Sequence, residues 1–394
     1  MKQTKNIESN LWKYFLYKLT HRRHFIPILS IFFLSLPNTN AQQIGFYLTA
    51  GFLASFLLEI PSGYFADRFG HKKTLILAKI FVIVSMLSFI FATSLPYFIF
   101  GSIFLALSQA FSSGTDKAFI YETLIELKRE KEYTKIISKI NANVSFIAVF
   151  LTILLPFTTA ISITTPIKIN LAFDLIGLVS ALILVTPKRE VEIIKAPSEK
   201  LITIIKNSTN SGFYPMAIFT GAIGGVLIAT SGFKEAYLQF LGLPIIYIGF
   251  MMGLSRLVWF VVGHKAHWLE ENIGLKNLFK IEILFFPLLL ILTAYFSNPS
   301  MAMLTMLIPA GYYWGRSPIT DSYTLKHLIK DKRYKATMLS VKSQVSLIIR
   351  SIAAFSIGFV MVKSYKLGFY TLGIALFIIL AITYFFFLRK HLNN

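Results

Sequence analysis

Apolar residues in this chain arrive in blocks of about 20 separated by short polar connections, and that spacing leaves few folds open. A helix rising 1.5 Å per residue needs about 20 residues to cross a hydrocarbon core of about 30 Å. Inside lipid every backbone N–H and C=O must be paired within the protein, so each crossing block is expected to be helical. A transmembrane barrel would instead alternate polar and apolar residues along short strands. Composition agrees: 55% of the 394 residues are hydrophobic and 14% charged, against about 25% charged in an ordinary soluble domain.

Reading blocks and interruptions predicts helices at about 13–36, 42–62, 74–94, 97–121, 134–158 and 163–186, then about 213–236, 244–263, 277–297, 300–321, 337–362 and 367–388. The expected fold is an all-α polytopic membrane protein, with twelve transmembrane helices in two pseudo-symmetric six-helix halves. Residues 1–186 form the N-terminal half, 187–212 a cytoplasmic linker and 213–394 the C-terminal half. The linker is the longest polar stretch and carries Lys188, Arg189, Glu190, Glu192, Lys195, Glu199, Lys200 and Lys206.

A formal charge of +21 invites a nucleic-acid reading, but the cations sit at the ends of apolar blocks rather than along one stripe. Alternate connections are rich in Lys and Arg: Arg68, Lys72 and Lys73; Lys128, Arg129 and Lys131; the linker; Lys265 and Lys276; Lys330, Lys332, Arg333 and Lys335. The connections between them carry none, apart from Lys363 and Lys366 near the last. Cytoplasmic loops keep the cation excess, so both termini are expected inside an inner (plasma) membrane. No cleavable signal peptide is read at the N-terminus. The absence of cysteine rules out disulfides and thiolate metal sites.

The halves repeat weakly. Gly63-Tyr64-Phe65-Ala66 follows the second block as Gly263-His264-Lys265-Ala266 follows the eighth, an offset near 200. Duplicated halves related along the membrane normal are a transporter architecture, with the solute bound near the midplane.

Between the second and third blocks the chain reads Gly63-Tyr64-Phe65-Ala66-Asp67-Arg68-Phe69-Gly70-His71-Lys72-Lys73. This resembles the signature loop of the major facilitator superfamily, matched at Gly63, Asp67, Arg68, Gly70 and Lys72. The twelve-helix plan extends the resemblance over nearly the whole chain. It implies a tight cytoplasmic turn, with Gly63 and Gly70 bending the chain and Asp67 latching the two halves until they rock. Leu58-Glu59-Ile60-Pro61-Ser62-Gly63 and Ser113-Gly114-Thr115-Asp116-Lys117-Ala118 are similar to segments of a bacterial, drug-efflux-like branch. Two departures limit that likeness: the fourth block has Gln109 and Ala110 where antiporters of the family often place an arginine, and the fifth lacks their glycine-proline motif.

Ionisable residues inside a span are expensive and face a partner or a wet cavity. Arg256, Arg350 and Asp174 lie well inside their blocks; Glu59 and Asp116 lie toward cytoplasmic ends. The first block contains His21-Arg22-Arg23-His24, and two placements are open for it. Either the cluster lines a water-filled cavity, or residues 11–20 form an interfacial helix and the cluster snorkels to the headgroups. In the cavity case Arg22, Arg23, Arg256 and Arg350, with Asn141 and Tyr312, are candidate contacts to an anionic solute, because guanidinium binds carboxylate and phosphate bidentately. Glu59, Asp116 and Asp174 are then candidate proton carriers. Each charge could equally be half of an interhelical ion pair.

The expected function is secondary active transport of a small organic solute by alternating access, as an exporter or antiporter coupled to protons. The alternative is a proton symporter importing a nutrient or organic anion. Outside that class stands a receptor that keeps the fold without transport. An intramembrane enzyme is disfavoured because all seven histidines fall in or near cytoplasmic segments, and the absence of a phosphate-binding glycine loop argues against an ATP-driven pump. Expected partners are the solute, protons and the bilayer, with no nucleic acid, cofactor or metal, and the chain is expected to act as a monomer.

Overall fold

The computed structural model describes residues 7–188, 209–330 and 335–392, apart from the side chains of Ile60, Asp67, Thr134 and residues 335–337. Most of the predicted linker, 189–208, lies outside the described residues. Among those described there is no strand, only an isolated bridge between Thr209 and Ile329.

The chain groups into two compact units. The first comprises Met1–Thr39 and Ala50–Ile193; the second comprises Asn40–Thr49 and Ile194–Asn394. In the first unit the helices are α1 (Asn10–Thr20), α2 (Ile26–Leu34), most of α3 (Ala41–Phe69), α4 (His71–Ile90), α5 (Leu95–Ser112), α6 (Thr115–Glu126), α7 (Tyr133–Leu154) and α8 (Thr165–Leu182). The second unit holds α9 (Phe213–Ala229), α10 (Phe233–Phe240), α11 (Ile245–His264), α12 (Ala266–Asn272), α13 (Gly274–Tyr295), α14 (Pro299–Tyr323), α15 (Lys335–Met361) and α16 (Tyr365–Ile382).

Nine helices among the described residues are long and apolar enough to cross a membrane. A tenth is reached if α9 and α10, bent by 46°, count as one span. The first and tenth of the twelve predicted segments are helical but fall short. The first divides into α1 and α2 around His21–Phe25, where charged side chains and Pro27 interrupt it. The tenth, α14, carries Arg316, Asp321, two internal prolines and the polar-aromatic run Gly311–Arg316, all of which dilute its apolar character. Outward-facing aromatics such as Phe146, Phe260 and Phe386 are 67%, 66% and 73% exposed, a surface suited to acyl chains rather than to water.

Within the first unit α4 packs against α5 and α8, and α1 against α8. Within the second, α9 packs on α15, α11 on α14, and α13 on α16. Glycines set the close approaches: a Cβ on Gly225 would meet Ile349, and one on Gly311 would meet Val258 and the Ser255 carbonyl. Small residues at helix crossings let backbones approach and gain dispersion where lipid gives no hydrophobic drive.

The signature segment differs from the expected turn. Gly63, Asp67 and Arg68 lie within α3, and the break falls at Gly70 alone, at φ 92° and ψ 148°. Only glycine adopts that region without strain, so Gly70 separates α3 from α4 while Gly63 is an ordinary helical position with nothing near its absent Cβ.

Candidate functional site

Each unit buries its own cluster of charges. In the first, α8 supplies Asp174, α4 supplies Lys79, and the α1–α2 connection supplies Arg23. Arg23 Nη1 donates to Asp174 Oδ1 at 3.1 Å and to Oδ2 at 3.3 Å. Lys79 Nζ donates to Asp174 Oδ1 at 3.1 Å and to Thr20 Oγ1 at 3.0 Å, and stands 5.0 Å from the centroid of the Tyr17 ring. Lys79 and Asp174 are fully buried, so the ammonium replaces its lost hydration with a carboxylate, a hydroxyl and an aromatic face. Gly177 on α8 makes room: a Cβ there would collide with Thr20 Oγ1 and the end of Lys79.

Around this core the Tyr17 hydroxyl donates to Ser112 Oγ at 3.2 Å, and the Tyr17 and His21 rings stack at 5.7 Å. Buried His24 shares a hydrogen bond with Thr152 Oγ1 at 3.0 Å, and its backbone N–H donates to Asn170 Oδ1 at 3.4 Å. The residues of His21–His24 differ in their surroundings. Arg23 takes part in an interhelical ion pair and His24 is sealed inside the unit, whereas Arg22 is exposed.

The second unit pairs Glu282 on α13 with Arg316 on α14. Arg316 Nε lies 2.9 Å from Glu282 Oε1, and the Tyr312 hydroxyl donates to the same oxygen at 3.1 Å. Arg316 is 2% exposed and Glu282 0%. This cluster borders open space. Arg316 lines a cavity of about 340 Å³ together with Lys342, Arg350, Asp321, Tyr313 and Ser346. Lys342 Nζ donates to Asp321 Oδ1 at 2.8 Å, and the Arg316 guanidinium stands 5.2 Å from the Tyr313 ring centroid.

A smaller cavity of about 180 Å³ is lined by Lys234, Arg256, Trp259 and Trp314, among others. A roomier recess of about 520 Å³, bounded by Val84, Leu87, Phe91, Tyr97 and Phe100, offers almost no polar atom.

The remaining predicted residues scatter. Arg350 and Tyr312 belong to the Arg316 cluster, the first on its cavity and the second on Glu282; Arg256 is in the smaller cavity, and Asn141 is exposed. Asp116 forms an ion pair with Lys18 at 2.5 Å. The Glu59 carbonyl accepts from the Ser62 hydroxyl at 3.0 Å. Arg68 is exposed and donates to the Tyr64 hydroxyl at 3.2 Å; Lys72 opens α4; the Asp67 side chain lies outside the described residues.

Sequence reasoning missed Lys79, Glu282 and Arg316. The signal was available, since each is a charge inside a helix-length segment. Lys79 stands in the apolar run from Leu75 to Val84, and Glu282 between Ile281 and Ile283.

The sequence profile of the Major Facilitator Superfamily matches residues 19–348 of this chain. No curated protein matches it significantly. Among solved structures, the nucleoside transporter NupG is similar with a TM-score of 0.76 at 13% identity, over 100% of this chain and 100% of that one. The peptide transporter POT in complex with sulfate gives 0.70 at 12% identity, over 95% of this chain and 93% of that one. A bacterial homolog of the human lysosomal transporter Spinster, inward-facing and unoccupied, gives 0.70 at 15% identity, over 98% of each chain. At such identities the likeness is one of fold.

Proposed function

The chain belongs to the major facilitator superfamily of secondary transporters, and from that premise we propose that it carries a small organic solute across the bilayer by alternating access, as an exporter or antiporter coupled to protons. The observation that carries the reading is the pair of buried charge clusters. Asp174, Lys79 and Glu282 are 0% exposed and Arg316 is 2% exposed, all within helices of membrane-spanning length. Charge at that depth costs several kcal/mol, and a chain that only had to span lipid would not keep it twice.

In this reading residues 1–186 and 213–394 are six-helix halves joined by a cytoplasmic linker at 187–212, with both termini inside an inner membrane and the protein acting as a monomer. Gly63, Asp67, Arg68, Gly70 and Lys72 form the cytoplasmic latch, and Gly70 supplies its bend. Asp174, whose carboxylate Arg23 and Lys79 share, is one candidate proton carrier. Asp116, released from Lys18, and Glu59 are the further candidates.

The test is solute flux in vesicles containing the purified chain, with a pH gradient imposed in either direction. Antiport predicts uptake into vesicles that are acidic inside, collapse of uptake with a protonophore, and loss of flux in Asp67→Asn while insertion persists. Uptake driven only by outside acid would replace antiport with symport. Flux indifferent to pH would remove proton coupling and leave a uniporter.

A further inference from the structure

We propose that the 340 Å³ cavity lined by α9, α14 and α15 is a binding site for an oxyanion, a carboxylate or phosphate group carried by the transported solute, anchored by Arg316 with Lys342, Arg350 and Ser346. The proposal rests on the transporter reading and narrows its solute class.

Charge is the first argument. Three cations, Arg316, Lys342 and Arg350, stand on the wall. Two carboxylates accompany them: Asp321 at 2.8 Å from Lys342 and Glu282 at 2.9 Å from Arg316. The three cations meet an entering anion inside a unit where the surrounding dielectric is low, and an added anion gains far more there than it would in water.

Hydrogen-bond capacity is the second. Arg316 is 2% exposed, yet its Nη2 finds no hydrogen-bond partner among the described residues. Its Nη1 reaches Thr320 Oγ1 only at 3.4 Å. Ser346 Oγ, on a residue 7% exposed that lines the same cavity, is likewise without a partner among them. Buried polar groups are almost always satisfied. Two donors left over on one cavity wall match an acceptor that arrives from outside.

Preorganisation is the third. Glu282, held by the Tyr312 hydroxyl, and the Tyr313 ring fix the guanidinium before any ligand enters. A planar fork already oriented loses little entropy on binding carboxylate or phosphate. The volume of about 340 Å³ equals about eleven waters at about 30 Å³ each, room for a small organic acid or a phosphate ester.

The experiment measures thermal unfolding and Trp314 fluorescence of the full-length protein in detergent. The probes are inorganic phosphate, methyl phosphate, acetate and citrate, titrated against sodium chloride and choline chloride at matched ionic strength. The expected result is saturable stabilisation by oxyanions alone, with a fluorescence change that Trp314→Phe removes. Arg350→Gln should weaken the apparent affinity by about tenfold or more, as loss of a charge-assisted contact implies, and Ser346→Ala by about threefold. Arg129→Gln, outside the cavity, should leave it unchanged.

Arg316→Gln strands Glu282 and can fail to fold, so Arg350→Gln and Ser346→Ala are the deciding variants. Equal stabilisation by chloride, preference for choline, or unchanged affinity in both variants overturns the proposal. A second arm compares nanodiscs of phosphatidylglycerol with nanodiscs of phosphatidylcholine. Protection by the anionic lipid with none from free oxyanions would make the ligand a headgroup and overturn the solute claim. Failure here is separable from failure of the transporter reading: pH-driven flux of a neutral or cationic solute sinks only the oxyanion site, and oxyanion binding without any flux sinks only transport.

Discussion

Lys79 and Glu282 occupy the same place in the two units, the ninth residue of α4 and of α13, and carry opposite charges. Both are fully buried, but their neighbours differ in kind. Lys79 is met by other parts of the fold: Asp174, Thr20 and the Tyr17 ring, with Arg23 on the same carboxylate. Glu282 holds an arginine whose other side lines a cavity. A sealed charge can be compensated only by the partners it was folded with. A charge beside a cavity can also be compensated by water or ligand, which leaves it available for binding.

That contrast can be broken by removing the carboxylates one at a time. Asp174→Asn leaves Arg23 and Lys79 side by side without their shared carboxylate, and breaking such a pair costs about 3–5 kcal/mol; denaturant unfolding in detergent measures it. Glu282→Gln should cost less, about 1–3 kcal/mol, because Arg316 can turn to cavity water. Equal losses would mean that the second cluster is as sealed as the first.

Packing sharpens the same point. Gly177→Ala would drive a methyl into Thr20 and Lys79, and Lys79 cannot yield without leaving Asp174, so about 1–3 kcal/mol of overpacking is expected. Gly224→Ala meets the hydroxyl end of Tyr313, a side chain that lines the cavity rather than a buried ion pair, and a smaller loss, less than about 1 kcal/mol, is expected. Thermal midpoints of the two variants, read side by side, decide it.

Lys79→Met tests which cation the first cluster can lose. Arg23 and Asp174 remain paired, the net buried charge falls to zero, and the change in stability should stay within about 1 kcal/mol. A loss as large as that of Asp174→Asn would show that Lys79, not Arg23, is the principal partner.

The smallest effect belongs to the surface. Arg129 donates to Glu132 at 3.0 and 2.9 Å and holds its carboxyl below the ordinary carboxylate range through those hydrogen bonds. The folded value lies below the unfolded one, so this contribution is complete above about pH 4.3 and fades as pH falls through the folded value. Both side chains are largely exposed, so the pair contributes little even where it is fully formed, and Arg129→Gln should leave unfolding at pH 7 nearly unchanged.

Much of the molecule was legible in the chain itself. Block length and backbone pairing determined an all-helical membrane protein, because no other spanning structure satisfies the peptide groups of a continuous apolar run. The signature residues identified the family from one short segment. Arg350 and Asp174 were recognisable as costly and therefore meaningful, because the expense of a charge in lipid is local and needs no partner to be seen.

Only the tertiary structure decided what each charge does. Arg23 and Asp174 are 151 residues apart in sequence and Lys79 and Asp174 are 95 apart; their meeting depends on how α1, α4 and α8 pack, which periodicity does not encode. Gly63 and Gly70 look alike in the motif, yet only Gly70 bends the chain, because helix continuation through Phe69 is a property of the folded segment. Arg22 and Arg23 are neighbours in sequence, and one is exposed while the other is buried in an ion pair. A sequence sets which side chains are too costly to bury alone; packing chooses whether the compensation comes from the fold or from a cavity.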